Sequence, residues 1–227
     1  MGSQALTGKL LDIYQRLLDR YGPQHWWPAE TPLEMIVGAI LTQSAAWVNV
    51  EKAIANLKTR GLLSTTMLRQ TSAEELARLI YPSGYHNVKA KKIKVFVDWL
   101  GEHYRDDLDR LFALDLPALR CELLSVYGVG EETADSIILY AARKPVFVVD
   151  AYTRRIVSRL GLAPTHNSYL AFQSLFMEHI PDEEGLFNEY HALLVCHGKA
   201  TCKRVPVCDG CCLTSLCPFP DSSNSGA

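Results

Sequence analysis

Apolar residues recur along this chain three and four positions apart far more often than two apart. That period gathers them on one stripe of an α-helix and leaves polar side chains on the opposite face. It predicts helices over 5–20, 32–43, 47–60, 73–80, 88–104, 108–113, 117–126, 131–142, 151–160, 167–179 and 184–196. Strict alternation is scarce, and its best instance, "KPVFVVD" over 144–150, is short and has no second run to pair with. The expected class is all-α. The last ten residues, "PFPDSSNSGA" over 218–227, are rich in Pro, Ser and Gly and are expected to fray as a flexible tail.

The 227 residues are 48% hydrophobic and 21% charged, which suits a folded chain with a sizeable core and argues against wholesale disorder. No apolar run reaches the length of a membrane span. The opening "MGSQALTGKLLDIYQRLL" reads as an amphipathic helix without the apolar region and cleavage site of a signal peptide, so the expected location is cytoplasmic, at the nucleoid if the source is prokaryotic. A net charge of −2 speaks weakly against a nucleic-acid partner. The total conceals clusters, however: Lys89, Lys91, Lys92 and Lys94 fall within six residues, and Arg154, Arg155 and Arg159 lie close together. Each cluster taken alone fits an ordinary solvated face.

Three constellations carry chemistry. The first is "LPALRCELLSVYGVGEETADSIILYAA" over 116–142. A helix ends at Gly128-Val129-Gly130 and another starts at about Glu131, with Thr133 in its first turn. Glycines permit positive φ in a tight interhelical turn. Turn amides beside a helix N-terminus suit a DNA phosphate, although a plain helical corner would look the same. The second is "VFVVDAYTRRIVSRLGL", in which Asp150 precedes a helix. An N-cap role accounts for such an Asp, and the helix dipole also keeps the carboxylate ionised, as glycosidic bond cleavage would require. The third is Cys202-x5-Cys208-x2-Cys211-x5-Cys217, part of a set of seven cysteines. Four thiolates serve a tetrahedral zinc or a [4Fe–4S] cluster, and the spacing leaves both open.

The three features in this order resemble the endonuclease III superfamily of helix-hairpin-helix DNA glycosylases, over about residues 5 to 217. The resemblance implies two helical domains that hold damaged double-stranded DNA and a flipped base between them. One is a six-helix barrel over 28–141 that carries the hairpin (117–142). The other is discontinuous, 1–27 with 142–217, and carries a [4Fe–4S] cluster on Cys202, Cys208, Cys211 and Cys217. The first gap is five residues where relatives commonly have six, and Cys196-x5-Cys202 repeats it. Cys202 is preferred as ligand because Cys196 sits within the helical "YHALLVCHGK", and Cys212 is read as a spare thiol. In bifunctional members a catalytic lysine stands two residues after the second hairpin glycine, and here that residue is Glu132. The chain is therefore expected to release bases without cleaving the strand, with Asp150 as catalytic carboxylate and Glu132 as a pocket or helix-terminal acid. The hairpin residues Gly128, Val129, Gly130 and Thr133, together with Lys89, Lys91 and Lys92, are expected at the DNA.

Within that superfamily, "WWP", "GAILTQ", "PSGYHNVKAKK" and "VVDAYT" are similar to the 3-methyladenine DNA glycosylase III group. The similarity makes Trp26, Trp27 and Trp47 the walls of the base pocket, and Gln43 the residue that fills the space left by the extruded base. It implies a monomeric enzyme for alkylated purines. A relative specific for uracil or mismatched thymine, and a non-catalytic damage binder in which Asp150 is only a cap, are the alternatives.

Overall fold

The structure, a computed structural model, describes residues 2–219. Among them there is no strand, and the chain forms α1 (Ser3–Tyr21), α2 (Pro32–Thr42), α3 (Trp47–Thr59), α4 (Thr65–Gln70), α5 (Ala73–Leu79), α6 (His86–Tyr104), α7 (Leu108–Phe112), α8 (Leu116–Ser125), α9 (Glu131–Ser136), α10 (Ala151–Arg159), α11 (Tyr169–Met177) and α12 (Glu184–Ala200). Short 3₁₀ turns lie at Tyr81–Ser83 and Thr214–Leu216, and α9 runs on into a wider π-type turn over Ile137–Ala141. No described helix is long and apolar enough to cross a membrane. Most of the tail expected to fray, from Pro220 onward, lies outside the described residues.

Two compact units emerge, one over Trp27–Lys144 and the other joining the segment up to Trp26 to the part from Pro145 onward. In the first, α2 is the central element. Every residue from Leu33 to Leu41 is buried, as expected of a helix that is apolar all round. Pro32 opens it at a position where a missing N–H costs nothing, and the Thr31 hydroxyl accepts the Glu34 N–H at 3.1 Å. α4 has no counterpart among the expected helices. It spans six residues, too few to show a period, and is held by the Ser64 cap and the single buried side chain of Leu68.

In the second unit, α1 buries Leu10, Ile13 and Leu17. The Tyr190 hydroxyl on α12 donates to the Leu10 carbonyl at 2.8 Å, and full burial pushes its pKa up. The extended run before Asp150 buries Val146, Phe147, Val148 and Val149 in succession, so alternation is lost. Side chains of α11 replace a partner strand. Gln173 donates to the Phe147 carbonyl at 2.7 Å, and the Val149 N–H reaches the Tyr169 hydroxyl at 3.3 Å. Phe147 stacks on Phe176 with centroids 3.8 Å apart. This packing fixes the backbone that delivers Asp150 to the start of α10.

Candidate active site

The hairpin is α8, a turn and α9. Of its two glycines only Gly128 has positive φ (+87°), while Gly130 is extended and N-caps α9. A Cβ at Gly128 would overlap the Lys92 side chain, so glycine is required there twice over. Val129 is buried, and the Val129 N–H closes the turn on the Val126 carbonyl at 3.1 Å. Arg120 of α8 donates to the fully buried Asp135 of α9 at 2.7 Å and locks the two helices together.

Gln43, the residue that follows α2, is tied into this hairpin. Its amide nitrogen donates to the Gly128 carbonyl at 3.0 Å and to the Thr133 hydroxyl at 2.9 Å, and its oxygen accepts from Lys92. Thr133 is itself buried. The sequence-predicted residues Gln43, Lys92, Gly128, Val129, Gly130 and Thr133 thus form one connected cluster.

The basic run behaves differently from a surface patch, and Lys89 requires a correction. It is only 2% exposed, and its ammonium donates to the Leu41 carbonyl at 2.8 Å and the Ser83 carbonyl at 2.6 Å. It neutralises carbonyls near helix ends instead of facing DNA. Lys94 does the same for the Leu68, Arg69 and Thr71 carbonyls at the C-terminal end of α4. Lys91 is exposed and stands over the Tyr127 ring at 5.0 Å. Burial, with Lys92 adding repulsion, lowers the Lys89 pKa from 10.5 to about 8. A cation whose folded pKa is depressed destabilises the fold fully below about pH 8, and the penalty is relieved as pH rises toward 10.5. Over that window wild type should gain up to about 3 kcal/mol relative to Lys89→Met, measured by denaturant unfolding at each pH. A constant difference between the two proteins would contradict the assignment.

The tryptophans separate into two environments. Trp27 and Trp47 meet edge to face at 5.1 Å and 88°, and Tyr140 tilts against Trp27 at 5.5 Å. Gly38 of α2 makes room, since a Cβ there would stand 3.3 Å from the Trp27 ring. Trp27 and Trp47 line a cavity of about 200 Å³ with Pro28, Glu34, Glu51 and Lys58 among its other walls. Lys58 is already engaged, at 2.8 Å from both Glu30 and Glu34, and those carboxylates raise its pKa. Trp26 is not among the cavity's lining residues. It is the last residue of the other unit, with the Lys199 ammonium 5.8 Å from its ring. Tyr140, Glu34 and Glu51 were not anticipated from the sequence, where they read as ordinary helix residues.

Asp150 N-caps α10, and its Oδ1 accepts the Thr153 N–H at 2.7 Å. Its Oδ2 faces His191 Nε2 at 3.8 Å, and its side chain is 12% exposed. Glu132 is exposed in the first turn of α9, where an acid complements the helix dipole, and its carbonyl accepts from the Ser136 hydroxyl at 2.7 Å.

Near the C-terminus, Cys202, Cys208, Cys211 and Cys217 line one cavity together with Arg159, Leu160 and His197. Cys196 and Cys212 are absent from its walls. Arg159 donates to the Cys202 sulfur at 3.2 Å, and Arg155 holds the Cys202 carbonyl at 2.9 Å. Burial pushes the Cys217 thiol pKa up, and Cys202, Cys211 and Cys208 add to the effect. Among the described residues no three Cys, His, Asp or Glu side chains converge on a point that could hold a single metal ion.

An all-helical chain with a hairpin of this kind and a carboxylate capping the next α-helix, α10, has the build of a base-excision DNA repair protein. Residues 37–182 match the HhH-GPD superfamily of base excision DNA repair proteins, and the chain belongs to that family. A "Putative DNA repair glycosylase" of Methanocaldococcus jannaschii is 44% identical over 212 residues, covering 90% of this chain and 94% of the relative. The H. pylori 3-methyladenine DNA glycosylase bound to 1,N6-ethenoadenine is similar at a TM-score of 0.73 and 25% identity, over 88% of this chain and 98% of that one. A trapped endonuclease III–DNA covalent intermediate matches at a TM-score of 0.83 and 23% identity, over 96% and 98%, which gives this chain the endonuclease III fold.

Proposed function

We propose that this protein is a monofunctional, monomeric DNA glycosylase that removes alkylated purines such as 3-methyladenine from duplex DNA. The observation that carries the reading is the cavity walled by Trp27 and Trp47 and bordered by Glu34 and Glu51. Indole faces attract a delocalised cation by stacking and cation–π interaction, with up to ~2 kcal/mol when water is excluded. Lys58, the one ammonium in the cavity wall, is paired with Glu30 and Glu34, and Glu51 is a further acid in that wall, so the charge around this cavity favours a positive guest. A neutral base such as uracil gains less here. Its recognition relies on donors and acceptors aimed at its edges.

The cation also makes the chemistry easy. The bond from the sugar C1′ to the base breaks, its electron pair passes to the purine, and the base leaves neutral. Asp150, capped and oriented at α10, stabilises the positive charge left on the sugar and takes a proton from the water that adds to C1′. Glu132 offers no amine, so no imine forms at that position. Borohydride should trap no covalent adduct with abasic DNA, and product strands should stay intact until alkali is added. An efficient trap would overturn the monofunctional reading. We assign the hairpin unit to base binding and the other to the catalytic carboxylate and a cluster.

That cluster would be [4Fe–4S] on Cys202, Cys208, Cys211 and Cys217. The residues fit it: four thiols, the number such a cluster takes, line one cavity. When bound, it would cross-link the loop after α12 and supply no step of the hydrolysis. Purified protein should contain iron and acid-labile sulfide in equal amounts. Cys208→Ser should lose both and Cys212→Ser neither, whereas stoichiometric zinc would contradict the assignment.

A further inference from the structure

Asp150 does not stand alone. One oxygen is fixed by the Thr153 N–H at 2.7 Å, while the other faces His191 Nε2 of α12 at 3.8 Å. His191 is 6% exposed. The hydroxyl of Thr153, one turn into α10, is fully buried without a hydrogen-bond partner in the structure. A buried hydroxyl in that state costs about 1–3 kcal/mol, and packing alone would favour Val at such a position. The residue whose N–H fixes Asp150 thus carries a buried, unpartnered hydroxyl where Val would be more stable. Burial, the leading effect, and Lys199 lower the His191 pKa, while Asp150 opposes them. A neutral imidazole next to a carboxylate leaves the negative charge of Asp150 uncancelled, which an arginine or lysine at that place would not do.

Resting on the reading of Asp150 as the catalytic carboxylate, we propose that His191 is a positioning residue: standing against Oδ2 while Thr153 holds Oδ1, it sets the rotation of the Asp150 carboxylate about its Cβ–Cγ bond. A carboxylate held only at Oδ1 could swing its second oxygen away from the sugar. A ring nitrogen at 3.8 Å limits that swing and can close to a hydrogen bond as charge develops on the sugar. The substrate does not touch His191 in this account, so its removal should slow the chemical step and leave binding intact.

The test is single-turnover base release by the full-length protein on a duplex carrying 3-methyladenine, with the dissociation constant for an abasic-analogue duplex measured in parallel. His191→Phe keeps the ring volume and removes the nitrogens. It should lower the rate at saturating enzyme about tenfold and leave the dissociation constant within twofold. His191→Gln, which restores an N–H at similar reach, should recover most of the rate. Should the Phe variant fail to fold, His191→Leu against His191→Gln decides the same question at matched volume. A wild-type rate for the apolar variant overturns the proposal. So does a loss of rate that tracks lost binding or lost stability and is not recovered by Gln. An active Asp150→Asn would instead overturn the reading of Asp150 itself. An inactive Asp150→Asn beside an unimpaired His191→Phe would remove only the role of His191.

Discussion

Asp150→Asn lowers single-turnover release of 3-methyladenine by about 10²–10³-fold while melting behaviour stays close to wild type. Both halves of that expectation come from the cap geometry. Asn caps helices as well as Asp does, and its amide oxygen can accept the Thr153 N–H that Oδ1 accepts at 2.7 Å. The substitution therefore removes a charge without removing the hydrogen bond that starts α10. A negative charge beside the sugar matters only when the sugar becomes positive, so the loss falls on the transition state and not on binding. Affinity for an abasic-analogue duplex should change by less than a few-fold. If Asp150 were only a structural cap, Asn would release the base at the wild-type rate, and that result would contradict the mechanism.

The second large effect concerns the indoles. Trp47→Ala should slow 3-methyladenine release by about one to two powers of ten, from the loss of ~1–3 kcal/mol of stacking, and Trp47→Phe should retain part of it. Trp27→Ala should do the same with an added penalty in stability. Trp27 packs on Trp47, Tyr140 and the bare face of Gly38, so truncating it also removes packing that supports the fold. Trp47 is therefore the cleaner probe. Release of uracil, measured on the same variants, controls for global damage. Equal losses for both bases would mean that the indoles shape the fold and do not select the charge.

Much of this fold was legible in the sequence because long helices repeat their pattern over several turns. α1, α2, α3, α6 and α12 carry enough periods to fix their faces and show their ends through Gly22, Thr31 or Pro32. α4 was not legible, since one buried Leu68 makes no pattern. The 144–150 run was read as extended but unpaired, and no local signal revealed that Gln173 and Tyr169 would satisfy its backbone. The hairpin and the Asp150 cap follow from spacing alone. The lysines do not. A charge run on a helix cannot show which members point inward, and Lys89 and Lys94 turn in because carbonyls of Leu41, Ser83 and the end of α4 await donors there. Trp26 and Trp27 are adjacent in the chain and lie in different units, a division invisible in a dipeptide. The spacing left Cys196 and Cys202 level as first ligand and the helical pattern favoured Cys202; Cys202, Cys208, Cys211 and Cys217 line one cavity, and Cys196, on α12, is not in its walls.

The central claim is that the Trp27–Trp47 cavity selects a base by its positive charge. The most direct test is the wild-type single-turnover rate on 3-methyladenine against uracil opposite guanine, in the same duplex context and at saturating enzyme. The account predicts faster release of 3-methyladenine, with a preference that shrinks in Trp47→Ala. A uracil rate higher by an order of magnitude and indifferent to Trp47 would contradict it.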